Sequence, residues 1–282
     1  MITASRHSTR NYSLAFLTIP DIGPLEAVHV AADAGYQMVG LRMLPATAEE
    51  SPYPILSSQR LLREVAAALD GRGIRVGDLE IIRLAPDTDI GAFTPFFERA
   101  QFLNARHVTV VNDDPVDTRA IETFSRLCES ALPFSLTMNL EPMPWSATRN
   151  IAEADHIVGL SQQENAGILV DAFHFYRGGS RLEQLKAVPS DRLNIFQICD
   201  APAAFDPAPD AIRHMARTAR KIPGQGELDL ASLISLIPAS AVISIEVPNR
   251  RSIRDYPPLD RAARALAATQ RLYDKTCSQQ AV

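Results

Sequence analysis

Cysteine is scarce in this chain. Three are present in 282 residues, Cys128, Cys199 and Cys277, with no CxxC spacing and an odd number that cannot pair off. That excludes a disulfide-stapled scaffold and suits a reducing, cytoplasmic setting. Long apolar runs are also missing. None approaches the roughly 18 residues that would span a membrane. The run Ser13–Ile19 is short, lacks a small-residue cleavage site and meets Pro20-Asp21 at once, so it reads as a first strand and not as a signal peptide. Basic runs are absent too: 28 Lys+Arg stand against 33 Asp+Glu, a net charge of −5, which speaks against a nucleic-acid partner. After the first strand the chain reads Thr18-Ile-Pro-Asp-Ile-Gly23, which is not a glycine-rich dinucleotide loop. No low-complexity segment or linker interrupts the sequence.

What is present is a folded composition, with 46% hydrophobic and 22% charged residues. Eight apolar runs rich in β-branched residues read as strands: 14–19, 38–42, 74–84, 107–112, 134–141, 167–171, 193–199 and 241–247. Their near-continuous hydrophobicity suits strands covered on both faces, as in a parallel sheet. Helical patterns fall between them, at 25–35, 58–70, 90–103, 118–131, 151–161, 181–187, 228–236 and 260–276. Dividing 282 by eight gives about 35 residues per unit, the size of a β/α repeat. The expected fold is therefore α/β, a single (β/α)8 TIM barrel forming one domain over 1–282, with a core at 13–272 and short tails. A doubly wound sheet is the runner-up. The proline-rich stretch Asp200–Asp210 follows strand seven, where a long loop commonly covers an active site.

Active sites of such barrels lie at the C-terminal ends of the strands. Strand five ends in Glu141, strand six in Asp171, strand seven carries Gln197 and strand eight ends in Glu246. Any one acid there could be a helix cap or a salt-bridge partner. Four polar groups on successive strands instead converge on one mouth, where carboxylates repel one another and a divalent cation removes that cost. Oxygen ligation favours Mg2+ or Mn2+ before Zn2+, with Co2+ also compatible. His174 lies three residues beyond Asp171, where it either overhangs the mouth or caps the following helix. Glu80 is either a substrate contact or a core salt-bridge partner. Arg42 is either an anion contact or the partner of a buried acid. Arg177 reads as an anion contact or a loop brace, and Trp145 as a pocket wall or ordinary packing. The glycines at 178–179 and at 224 and 226 read as turns. Cys199 lacks an adjacent base and makes a poor nucleophile.

The segments Asn139-Leu-Glu-Pro-Met-Pro-Trp145, Val170-Asp-Ala-Phe-His-Phe-Tyr-Arg177, Phe196-Gln-Ile-Cys-Asp-Ala-Pro202, Pro223-Gly-Gln-Gly-Glu227 and Ser244-Ile-Glu-Val-Pro-Asn249 resemble the sugar phosphate isomerase/epimerase family, whose fold is the xylose-isomerase-like TIM barrel. The resemblance runs from about Ser13 to Leu272 and is most specific in the C-terminal half. It implies that Glu141, Asp171, Gln197 and Glu246 hold one divalent metal and that His174 contacts substrate oxygens. Two departures matter. Many epimerases of the family carry histidine on strand seven, whereas this chain has Gln197, as in hydroxypyruvate-isomerase-like and 3-dehydroshikimate-dehydratase-like members. The ketose epimerases also place an arginine where this chain has Ala203.

The expected activity is a metal-dependent isomerase or epimerase of a small hydroxy-carbonyl substrate. Glu141 and Glu246 would remove and return a proton through an enediolate. Expulsion of a β-hydroxyl from the same enediolate gives the alternative, a dehydratase. A metal-assisted phosphodiesterase of the endonuclease IV type would need several strand-end histidines and a basic face. An inactive ligand-binding barrel would not be expected to keep the whole acid set. Barrels of this family are often dimers or tetramers, which leaves a homo-oligomer open.

Overall fold

The computed structural model describes residues 10–47 and 49–280. Eight strands, β1 (Tyr12–Leu14), β2 (Met38–Arg42), β3 (Arg75–Leu84), β4 (His107–Asn112), β5 (Thr137–Leu140), β6 (Ala166–Asp171), β7 (Leu193–Ile198) and β8 (Val242–Ile245), follow one another around a closed barrel. Every neighbouring pair is parallel, and β1 closes on β8 with Ser13 opposite Ser244. The chain is a (β/α)8 TIM barrel.

Local chemistry sets the outer helices. The Ser58 hydroxyl accepts from Leu61 N at 3.2 Å and starts the helix Gln59–Arg72, which ends where Gly73 turns left-handed at φ 64°. Asn150 caps Ile151–Ser161 by accepting from the backbone nitrogens of Ala152 and Glu153, both at 3.1 Å. The apolar faces of the helices close over the barrel in one large core. Inside the barrel the filling is partly polar: Ser13, Asp78, Asn139 and Ser244 are all fully buried. Gly167 on β6 leaves space for the Asn139 and Asn194 side chains, which any Cβ there would meet. A separate apolar cluster of Ala46, Ile81, Val111 and Met143, with Trp145 against it, lies towards the mouth.

Several boundaries differ from the sequence reading. The run taken as strand one divides: β1 stops at Leu14, and Phe16–Thr18 forms a single 3-10 turn. Strand five begins at Thr137, because Leu132–Phe134 is another 3-10 turn and Ser135 adopts φ 58°. The short helices Pro54–Ser57, Ala172–Arg177 and Arg250–Asp255 have too few residues to show a 3.6-residue period in sequence. The irregular stretch after β7 runs as expected to Ala208, and the helix Pro209–Thr218 follows it. No helix among the described residues is long and apolar enough to cross a membrane.

Candidate active site

The C-terminal mouth of the barrel encloses a cavity of about 140 Å3, lined by Glu80, Glu141, His174, Gln197, Arg220 and Glu246 among others. Glu141 is the first residue after β5, and its backbone nitrogen donates to Val110 O at 2.8 Å. Asp171 ends β6 opposite Gln197 on β7. Glu246 follows β8, with its nitrogen donating to Ile198 O at 3.1 Å. The backbone ladder thus fixes the position of each acid. Asp171 Oδ1 also accepts from His174 N at 2.8 Å, which starts the short helix Ala172–Arg177 and sets the histidine over the acids. Glu141, Asp171 and His174 each offer a ligand atom, all within 4.8 Å of one another. The Gln197 amide nitrogen donates to Glu246 Oε1 at 3.3 Å; with the amide turned over it would instead donate to Glu141 Oε1 at 3.2 Å and Asp171 Oδ2 at 3.3 Å, which relieves the contact of its oxygen with those two carboxylates.

Sequence reasoning missed the cation among them. Arg220 is buried, and its Nη1 lies 2.5 Å from Asp171 Oδ2 and 2.9 Å from Glu246 Oε2. Nε donates to Ala216 O at 2.8 Å, and Nη2 stands 3.3 Å from His174 Nε2. Guanidinium nitrogens only donate, so His174 Nε2 is the acceptor and the imidazole proton sits on Nδ1. In sequence, Arg220 stands beside Lys221 near a helix end and reads as a solvated basic pair.

The acids respond to burial and to one another. Burial, reinforced by Asp171 and Glu246, pushes the Glu141 carboxyl well above the usual carboxylate range. Burial raises Glu246 to about 8, with Glu80 and Asp171 adding to the rise and Arg220 opposing it. Burial would raise Asp171 as well, but Arg220, His174 and the hydrogen bond from His174 N hold it low. Burial lowers His174 to about 4, which leaves it neutral near pH 7. Asp78, two residues before Glu80, is fully buried with neither carboxylate oxygen hydrogen-bonded, and burial with the nearby Glu80 and Glu246 pushes it well up. Its protonated form is the one compatible with that setting. Burial likewise pushes the Cys199 thiol to about 12, which removes it as a nucleophile.

The remaining expected residues separate into two groups. Glu80 and Arg42 both reach the cavity, but they reach it as partners: Arg42 Nε and Nη2 donate to Glu80 Oε2 at 3.1 and 2.5 Å. The other Glu80 oxygen is buried and has no partner. Trp145 lines the cavity, edge-on to His174 with ring centres 5.0 Å apart. Arg177 does not line it; its Nη2 donates to Pro202 O and its guanidinium lies 4.0 Å from the Phe205 ring, so it braces the loop after β7. That loop does not line the cavity either. The helix beyond it supplies Ala216 and Arg217. The glycines of Pro223-Gly-Gln-Gly-Glu227 form a cradle for an internal anion: Gly224 N and Gly226 N donate to Asp200 Oδ2 at 3.0 and 2.9 Å, and Leu228 N donates to Oδ1 at 3.1 Å.

Residues 28–272 match the family described as xylose isomerase-like TIM barrel. The chain belongs to that family. Among curated relatives it is similar to the inosose isomerase of Bacillus subtilis (strain 168), 25% identical over 174 residues. That match covers 56% of this chain and 59% of the relative, so the chain spans about three-fifths of the relative's length. It is also 29% identical over 128 residues to the 3-dehydroshikimate dehydratase of Pseudomonas aeruginosa, across 44% of this chain and 20% of that protein. Among solved structures, an IolI protein with a binding zinc atom superposes with a TM-score of 0.81 at 20% identity, covering 94% of this chain and 99% of that one. The D-psicose 3-epimerase of Clostridium cellulolyticum H10, solved with D-tagatose, gives 0.68 at 13% identity over 93% and 98% of the two chains. At these identities the superpositions establish the fold.

Proposed function

We propose that this family member is a divalent-metal-dependent isomerase or epimerase of a small polyhydroxylated carbonyl compound. The observation that carries the proposal is the close approach of buried acids at the mouth: Glu141 and Glu246 line the cavity with Gln197 and His174, and Asp171 offers a ligand atom within 4.8 Å of those of Glu141 and His174. The donor set fits a divalent ion. Glu141 and Glu246 resist ionisation without a cation, and each acid keeps a lone pair beyond the bonds it already makes. Glu141, Asp171, Gln197 and Glu246 would hold the ion; His174 Nε2 lies close by but already accepts from Arg220. Oxygen donors favour Mn2+ or Mg2+, whereas the imidazole and the zinc in the IolI relative make Zn2+ or Co2+ compatible. When bound, the ion would supply Lewis acidity that weakens the C–H bond beside a substrate carbonyl.

The protein groups would do the rest. Glu141 and Glu246 project from non-adjacent strands, and one removes the proton that the other returns. Arg220 keeps Asp171 ionised and holds Glu246 in place. Neutral His174 orients a substrate hydroxyl, and Trp145 excludes water from one wall. Loss of a β-hydroxyl in place of reprotonation gives the dehydratase alternative, which the similarity to 3-dehydroshikimate dehydratase supports. A small-molecule substrate, no nucleic-acid partner and a cytoplasmic location belong to the same reading.

The test is chelator-treated protein reloaded with Mn2+, Mg2+, Zn2+ or Co2+ and offered ketoses, inosose, hydroxypyruvate and 3-dehydroshikimate in D2O. Metal-dependent exchange of the proton beside the carbonyl is expected, falling by about 10^2-fold or more in Glu246→Gln. Full activity in that variant, or in metal-free protein, contradicts the proposal.

A further inference from the structure

The arginines around the cavity are not equivalent. Arg42 is committed to Glu80, with Glu50 3.7 Å from its Nη1 and the Phe16 ring beneath it at 4.6 Å. Arg220 is committed to Asp171 and Glu246. Arg83 donates to both oxygens of Asp113, at 2.7 and 2.8 Å. Arg217 remains. It lines the same cavity from the helix Pro209–Thr218, is exposed, and makes no hydrogen bond or ion pair among the described residues.

The cavity wall near Arg217 is of mixed charge, with Glu50 and Glu80 alongside Arg42 and Arg83. Partial burial and the charges of Arg213, Arg83 and Arg42 disfavour its protonated form, and Glu50 supports it. Arg213 stands one helical turn away, its guanidinium 5.8 Å from the Trp145 ring. Arg42, Arg83 and Arg213 are each answered by an acid, Glu80, Asp113 and Asp210, whereas Arg217 has no such partner among the described residues, so an anionic ligand end would supply one. A guanidinium with all its donors free matches the two oxygens of a carboxylate or phosphate.

We propose that Arg217 is a specificity residue and that the substrate is an anion: a hydroxy-carbonyl compound with a carboxylate or phosphate at the end remote from its reacting carbons. The inner end of the cavity takes the carbonyl and hydroxyl oxygens, and Arg217 takes the anionic end. This deepens the reading given under Proposed function and rests on it. It also moves anion recognition away from Arg42, which is paired with Glu80, and from Arg177, which does not line the cavity.

Calorimetric titration tests the assignment with sorbitol, gluconate and sorbitol 6-phosphate. The first is neutral, and the others carry a terminal carboxylate or phosphate. Wild-type protein, metal-loaded and chelator-treated, is expected to bind one of the two anions at least about tenfold more tightly than sorbitol. Which anion is favoured identifies the group. The preference is expected to weaken as salt is added, to vanish in Arg217→Gln with sorbitol affinity unchanged, and to return in part in Arg217→Lys. Equal affinity for all three ligands in the wild type overturns the inference. So does a preference that survives Arg217→Gln, or the absence of any binding. Metal content is measured on the same samples. Protein that takes up metal but shows no anion preference defeats this inference and leaves the isomerase reading standing. An Arg217-dependent preference in protein that takes up no metal does the reverse.

Discussion

Arg220 carries a buried positive charge into a place where Asp171 and Glu246 would otherwise face each other unscreened. Burial disfavours its charge, and the neighbouring Asp171 and Glu246 more than offset that. Its energetic role follows from what it would leave behind. Removing one partner of a buried ion pair strands the other, at a cost of about 3–5 kcal/mol. Arg220→Gln is therefore expected to lower the unfolding free energy of metal-free protein by about that amount, measured by urea denaturation. Added Mn2+ should recover part of the loss. A variant as stable as the wild type without metal would show that the arginine does not neutralise the acids. The strand-end acids were legible in sequence because each ends an apolar run. Arg220 was not, because its burial depends on the connections after β7 and β8 meeting, with Arg220 N donating to Pro248 O at 3.1 Å.

At the level of elements, the connection after β7 does most of the positioning. It carries Arg217 and Arg220, and it is anchored where Asp200 and Lys221 exchange backbone hydrogen bonds at 2.8 and 2.7 Å. The Asp200 carboxylate then gathers the backbone of 224–228 around itself. Gly226 has no room for a side chain, since a Cβ there would run into Asp200 Oδ1 and the Ala201 carbonyl. Gly226→Ala is expected to cost about 1–3 kcal/mol through forced displacement. It should also raise hydrogen exchange at Gly224 and Leu228 before other amides, and unchanged exchange there would contradict the cradle. Sequence reading saw only a turn here, because the anion it holds comes from a residue 24 positions earlier. The split of the first apolar run at Leu14 has a related cause: a few apolar residues suit a strand or a helical turn equally well, and closure of the barrel decides between them.

For the whole molecule, the repeat of about 35 residues made the barrel legible, since strand and helix alternation survives errors of a few residues at any boundary. The charge state of the finished barrel depends on pH through the site. Glu246 titrates near 8 in the folded chain against an ordinary value of 4.5, and Glu141 and Asp78 are pushed the same way. Between those limits the folded state holds protons that the unfolded chain has released. Through these acids metal-free stability should fall as pH rises towards 8, against an opposing rise between about 4 and 6.5 from His174 and His107, which burial lowers to about 4. A bound divalent ion acts oppositely, because its ligands must be deprotonated, so its stabilising effect should grow over the same range. At a free Mn2+ concentration of 100 times Kd the gain is about 2.7 kcal/mol. Thermal scans with and without Mn2+ at pH 5 and pH 8 test both signs. Equal metal-induced shifts at the two pH values would count against carboxylate ligation.

The salt bridges of Arg220 also bear on the order in which the protein is made. A chain whose acids had only a metal to neutralise them would need that metal in order to fold, and a cell short of the ion would accumulate unfolded chains. Here a resident cation covers Asp171 and Glu246 from within the sequence. The barrel can therefore close without the ion proposed above, which would bind to a site already folded.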